Sequence, residues 1–319
     1  MKHKLWVGVD IGGTKISAGL VEGSGKILHR KKISLPVNLS RKKIISVIFS
    51  LIQELLEDEG VKARLLKGIG LGVPGIVDQR GVVINAPNIS LSGIDICKVI
   101  KRRFRVPVVA GNDVNLGVLG ERWLGAAQGY KDIVGIFMGT GLGAGVIVDD
   151  KLLLGNHGAA AEIGHMLINS KGPKCSCGNY GCLEAYVGRW AIERDIRKEL
   201  RKGRRSVLRT LLPPGSKIIK SKILAKAISR NDPLITEVMK RAALTVGDAC
   251  VSLRHIFDPQ IIVLGGGVIG ACGDFILPLV QERLAKDKFF SKLGKCDVVV
   301  SQLEDNATIL GAVALTCGI

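Results

Sequence analysis

The stretch LWVGVDIGGTKISAGLV (residues 5–21) decides the fold. Residues 5–10 form a short apolar run, 11–15 a glycine turn, and 16–21 an alternating run, which reads as strand, turn, strand. KILHRKKISL (26–35) follows a second turn at Gly23–Gly25 and reads as a third strand. The same grammar restarts in DIVGIFMGTGLGAGVIVD (132–149), again a strand, a glycine turn and a return strand. This is an internal repeat of architecture without repeat of residue identity.

Helical patterns separate the strands. Ile44, Ile45, Ile48, Leu51, Ile52 and Leu55 recur at helical spacing from a start near Ser40, and Gly60 supplies the stop. GIGLGV (68–73) reads as a buried strand ahead of the Pro74–Gly75 elbow. Gly111-Asn112-Asp113 opens a helix after the strand PVVA (107–110), and a long helical pattern lies between Asp232 and Phe257. IIVLGGGV (261–268) is a buried strand entering a glycine turn. The chain closes with the strand DVVVS (297–301) and an apolar helix from Asn306 onward. Strands alternating with helices predict an α/β fold with mixed sheets, and 319 residues are enough for two domains.

Composition narrows the function classes. Apolar content of 47% and charge of 23% are those of a water-soluble globular protein, and Asp10 ends the first apolar run too early for a signal peptide or membrane span. Of eight cysteines, Cys97, Cys250, Cys272, Cys296 and Cys317 are scattered through apolar sequence, which favours a reducing, cytoplasmic setting over a disulfide framework. The net charge of +18 gathers in HRKK (29–32), RKK (41–43) and the stretch 194–222. With only 4% aromatic residues there are no stacking platforms for bases, so solvated surface is the better reading than nucleic-acid binding. A positive field also suits an anionic substrate such as a nucleotide.

The remaining three cysteines stand with a histidine between Glu162 and Glu184: EIGH (162–165), then CSCGNYGCLE (175–184). Three thiolates and an imidazole, from Cys175, Cys177, Cys182 and His165, are a complete tetrahedral set for zinc with no open position. A closed site of this kind organises a loop and performs no Lewis-acid chemistry. The C-x-C step is tighter than the usual C-x2-C.

Three glycine turns end strands: Gly12-Gly13-Thr14-Lys15, Gly139-Thr140-Gly141 and Gly265-Gly266-Gly267. Such turns let backbone N–H groups approach an anion, although any one of them can mean only a tight hairpin. None fits the P-loop or the dinucleotide pattern. Asp10, just before the first turn, is placed to hold Mg2+ through water.

Taken in order, DIGGTK (10–15), VPG (73–75), NAPN (85–88), ND (112–113), GTGLGAG (139–145), EIGH, CSCGNYGCLE and IVLGGG (262–267) strongly resemble the ROK family, which comprises bacterial sugar kinases of the glucokinase type and related repressors. The resemblance spans essentially the whole chain. It implies an actin/hexokinase/Hsp70-like ATPase fold, two RNase H-like domains with sugar and ATP meeting in an interdomain cleft. The expected division is 1–113, completed by 303–319, and 114–302, which carries the zinc-bound sugar loop and the nucleotide site.

The resemblance also assigns roles. Asp113 becomes the general base for the sugar hydroxyl; from the residues alone, capping the following helix is the simpler role. Gly75, Asn88, Asn112, Glu162, His165 and Glu184 become sugar ligands, and the three glycine turns hold ATP. A homodimer or homotetramer is expected. Two departures touch the sugar pocket: Ala161 precedes Glu162 where glucokinases of the family often have glycine, and ISLSGID follows NAPN where a tryptophan is common. An N-acetylmannosamine or N-acetylglucosamine kinase is therefore an alternative to glucokinase. A sugar-responsive repressor is a third reading, disfavoured because the first strand starts at about the fifth residue and leaves no room for a helix-turn-helix. Family members that use polyphosphate generally lack the cysteine cluster.

Overall fold

In the computed structural model, which describes residues 4–36, 38–213, 215–216 and 218–319, the opening run becomes β1 (Leu5–Ile11), β2 (Lys15–Glu22) and β3 (Ile27–Ser34). The antiparallel register pairs Val7 with Leu20, Val9 with Ala18 and Ile11 with Ile16. Because side chains alternate along a strand, these six share one face, and all six are fully buried. Helix α1 (Arg41–Asp58) contributes Ile44, Ile48, Leu51, Ile52, Leu55 and Leu56 to the same core. Gly60, at φ +61°, ends that helix by donating its N–H to the carbonyl of Glu57.

The chain continues through β4 (Leu66–Val73), β5 (Ile76–Val77), β6 (Val82–Asn85), β7 (Ile94–Asp95), α2 (Ile96–Phe104), β8 (Val108–Asn112) and α3 (Asp113–Leu124). Next come β9 (Ile133–Met138), β10 (Leu142–Val148), β11 (Lys151–Leu152), α4 (Glu184–Val187), α5 (Arg189–Arg201), α6 (Leu208–Leu211), α7 (Ser221–Ile228) and α8 (Pro233–Phe257). The last elements are β12 (Ile261–Gly265), α9 (Gly266–Ala285), β13 (Asp297–Val300) and α10 (Ala307–Cys317). Helix α8 starts where its sequence says: Pro233 occupies the first turn and the Asp232 carboxylate accepts from the Ile235 N–H.

Two five-stranded sheets have one plan. The first runs β3-β2-β1-β4-β8 and the second β11-β10-β9-β12-β13. In the first, β4 pairs parallel to both β1 and β8; in the second, β12 pairs parallel to both β9 and β13. This duplicated mixed sheet is the actin/hexokinase-like ATPase architecture, and it explains the doubled strand–glycine-turn–strand opening. A small sheet of β5, β6 and β7 was not foreseen.

The residues group into two compact units, Met1–Gly129 with Gly145–Ala161 and Asp305–Ile319, and Tyr130–Ala144 with Glu162–Glu304. These bounds run differently from the split expected at residue 113. Helix α3 stays with the first unit because it packs backbone to backbone on α10: a Cβ on Gly311 would lie 1.6 Å from the carbonyl oxygen of Leu116, and one on Gly120 2.2 Å from that of Ala307. Among the described residues no helix is long and apolar enough to cross a membrane.

Candidate functional site

In the first unit, the β1–β2 turn is closed by the Gly12 N–H on the carbonyl of Lys15 at 2.8 Å. A Cβ on Gly13 would stand 2.9 Å from the carbonyl of Asn88, so this turn lies against the NAPN loop. The two border a cavity of about 650 Å³ with a buried floor of Leu35, Ile44, Ala86 and Ile89. Lys15 meets Asp305 at 3.1 Å, and Arg30 and Lys32 reach the same carboxylate at 3.6 and 3.7 Å. Burial pushes the neighbouring Asp10 carboxyl up to about 6, against the pull of Lys15 and with a further rise from Asp305.

Asn112 takes the capping role considered for Asp113. Its side-chain oxygen accepts from the N–H groups of Val114 and Asn115, both at 2.9 Å, and its amide donates to the carbonyl of Gly75 at 2.9 Å. One side chain thus fixes the start of α3 and the Gly75 elbow, whose φ of +115° only glycine adopts readily. Asp113 stands as the first residue of α3, half-buried, with its carboxylate 3.0 Å from the Val114 N–H and its carbonyl accepting from Thr308.

In the second unit, the Cys/His loop closes as the spacing predicts. The Cys177 and Cys182 sulfurs are 3.7 Å apart, Cys175 Sγ is 3.7 Å from His165 Nδ1, and all four donor atoms lie within 4.8 Å of one another. A tetrahedron with bonds of about 2.3 Å has edges of about 3.8 Å, so the four donors fit a zinc ion. The backbone makes this possible: Gly178 (φ +98°) donates to the carbonyl of Cys175, and a Cβ on Gly181 would strike the carbonyl of Asn169. Burial, with the two neighbouring thiols, pushes the Cys182 thiol up to about 12, and a divalent cation among the sulfurs would reverse that shift. Glu162, three residues before His165, has its carboxyl held above the usual range by burial, opposed by His165 and reinforced by Glu184.

Glu184 is buried at the start of α4. Its Oε2 accepts from the Leu142 N–H at 2.9 Å, and its Oε1 accepts from Ser176 Oγ at 2.7 Å and the Trp190 indole N–H at 3.3 Å. The Gly139–Gly141 turn is also held by α5, whose Arg189 and Trp190 N–H groups donate to the carbonyls of Gly139 and Thr140 at 3.2 Å. Gly265 ends β12 and Gly266, at φ +85°, opens α9, which has no side-chain cap. A Cβ on Gly266 would lie 2.5 Å from the Met138 carbonyl, whereas Gly267 faces open space. The first amides of α9, which is kinked at Cys272 (φ −125°), therefore stand at the third turn.

Asp10, Gly12, Gly13, Thr14, Lys15, Gly75, Asn88, Asn112 and Asp113 thus fall in the first unit. Gly139, Thr140, Gly141, Glu162, His165, Cys175, Cys177, Cys182, Glu184 and Gly265–Gly267 fall in the second. Ser176, Trp190 and Arg189, which position the second group, were not singled out in the sequence. Ser176 is the residue inside C-x-C, but nothing in a linear pattern marks its hydroxyl as a donor to Glu184.

The doubled sheet and glycine turns define an ATPase of the actin/hexokinase class. The chain matches the ROK family over residues 6–318, and it belongs to that family. It is 33% identical to a glucokinase of Thermotoga maritima over 311 residues, 97% of this chain and 96% of that protein. It is 28% identical to a xylose repressor of Caldicellulosiruptor bescii over 97% of this chain and 77% of the repressor. The crystal structure of a ROK family glucokinase from Streptomyces griseus, in complex with glucose and AMPPNP, superposes with a TM-score of 0.82 at 31% identity, covering 99% of this chain and all of that one.

Proposed function

We propose that this chain is an ATP-dependent hexose kinase that phosphorylates glucose. The observation that carries the reading is end-to-end similarity to glucokinases, one of them solved with glucose and a nucleotide analogue. Asn88, Asn112, the Gly75 backbone, Glu162, His165 and Glu184 are the residues for sugar hydroxyls. Asp113 takes the hydroxyl proton as the sugar oxygen bonds to the γ-phosphorus and the bridge to the β-phosphate breaks, releasing ADP. Backbone amides of the three glycine turns, with Thr14, Thr140 and Lys15, hold the phosphates. Asp10 is the residue for Mg2+, which neutralises phosphate charge. His165, Cys175, Cys177 and Cys182 are the residues for zinc, which shapes the sugar loop. A cytoplasmic homodimer or homotetramer completes the proposal.

The test is ADP release with Mg-ATP across glucose, mannose, fructose, N-acetylglucosamine and N-acetylmannosamine. Preference for glucose is the expected result; preference for an N-acetylated sugar keeps the mechanism and moves the specificity. Asp113→Asn is expected to lower kcat by about 10²–10⁴ while sugar affinity changes little; near-normal turnover removes Asp113 as the base. Similarity to xylose repressors favours a sugar-responsive regulator as second reading. Sugar binding without ADP release, with salt-sensitive DNA retention, would support it.

A further inference from the structure

We infer that Glu184 is a positioning residue for the nucleotide donor, linking the metal-binding loop to the Gly139–Gly141 turn. The inference rests on reading that turn as part of the nucleotide site. The Leu142 N–H that Glu184 accepts is the first amide after the turn. A Cβ on Gly141 would stand 2.2 Å from Glu184 Oε2, so the turn's backbone lies directly on the carboxylate. The other oxygen is held by Ser176, the residue between the ligands Cys175 and Cys177, and by the Trp190 indole.

Trp190 then closes a ring of contacts. Its own backbone N–H donates to Thr140, and the Arg189 guanidinium donates to Thr140 Oγ1 at 3.0 Å. A buried carboxylate offers only acceptors, so the Leu142, Ser176 and Trp190 donors, with the Cys175 thiol 3.8 Å from Oε1, satisfy it and fix its rotamer. The shape of the C-S-C segment therefore sets the Glu184 carboxylate, and the carboxylate sets the amide at the exit of the turn. Loosening the Ser176 and Trp190 side weakens donor binding even though neither residue need touch the nucleotide.

Ser176→Ala, Trp190→Phe and the double variant test this. AMP-PNP and glucose affinities are measured by calorimetry, KM for ATP and for sugar by ADP release, and zinc content by mass spectrometry. The expected result for the double variant is AMP-PNP affinity weakened about fivefold to tenfold, the net worth of roughly one ordinary hydrogen bond passed on through the carboxylate, with KM for ATP rising more than KM for sugar at unchanged zinc content. Unchanged AMP-PNP affinity in a folded, metal-replete double variant overturns the inference. If that variant fails to fold, Glu184→Gln replaces one acceptor with a donor at nearly the same volume, and unchanged AMP-PNP affinity there overturns it equally. Wild-type protein that binds no AMP-PNP defeats the nucleotide reading itself. Wild-type protein that binds AMP-PNP but phosphorylates no sugar defeats only the kinase proposal and leaves this test intact.

Discussion

Ala161 holds φ at +62°, a left-handed conformation that costs a residue with a Cβ about 1 kcal/mol and glycine almost nothing. It stands immediately before Glu162. Ala161→Gly is expected to leave stability unchanged or raise it by up to about 1 kcal/mol, relief of the left-handed cost being offset by the greater freedom of unfolded glycine. A clear loss in the urea midpoint would mean that the methyl group packs productively. Asp10 makes the opposite kind of compromise. Burial lifts its carboxyl from 3.8 to about 6, so the folded state binds a proton more tightly than the unfolded state and the ionised form costs stability. The cost is absent below about pH 4, grows as pH rises to about 6, and is constant above. Asp10→Asn is therefore expected to stabilise the protein by roughly 1–3 kcal/mol at about pH 7.5 and by little at about pH 4. Chemical denaturation at the two pH values checks it; equal effects at both would show that the carboxyl is not penalised by burial. The same variant should lose Mg2+-dependent activity, since a carboxylate that costs folding energy is kept for what it binds.

Helix α8 and the hairpin β1–β2 were legible because their signals are local: an Asp cap before Pro233, alternation on either side of a glycine turn. Strands β5 and β7, of two residues each, carry no period and could not be read. The Cys/His loop was legible as a cluster and opaque in its supports. Spacing gave His165, Cys175, Cys177 and Cys182, but the tie from Glu184 to Leu142 crosses 42 residues of sequence. Cys177→Ser is expected to lower zinc content and weaken sugar affinity, checked by metal analysis and calorimetry. Retention of a full zinc equivalent would remove Cys177 from the ligand set. The α3–α10 packing offers a sharper structural test. Gly311→Ala would place a Cβ 1.6 Å from the Leu116 carbonyl, and overpacking of this kind costs about 1–3 kcal/mol or more. A thermal midpoint equal to wild type would show that the two helices can separate without penalty.

The whole molecule carries +18, so its cations repel one another in the folded state more closely than in the extended chain. Raising salt from about 10 mM to about 150 mM shortens the screening length from about 30 Å to about 8 Å. The thermal midpoint is expected to rise over that interval, and a fall would mean that pairs such as Lys31–Asp58 and Arg204–Glu237 outweigh the repulsion. Residue order settled the α/β class, the repeated strand–turn–strand unit, the glycine turns and the Cys/His cluster. Each depends on backbone freedom, side-chain alternation or ligand chemistry within a few neighbouring residues. Tertiary structure alone decided that Asn112 rather than Asp113 caps α3 and that α3 belongs with α10. It also decided that Lys15 meets Asp305 across 290 residues and that Glu184 lies against Gly141. Those outcomes follow from which strands neighbour which and from how closely two backbones pass, and a linear pattern carries no term for either.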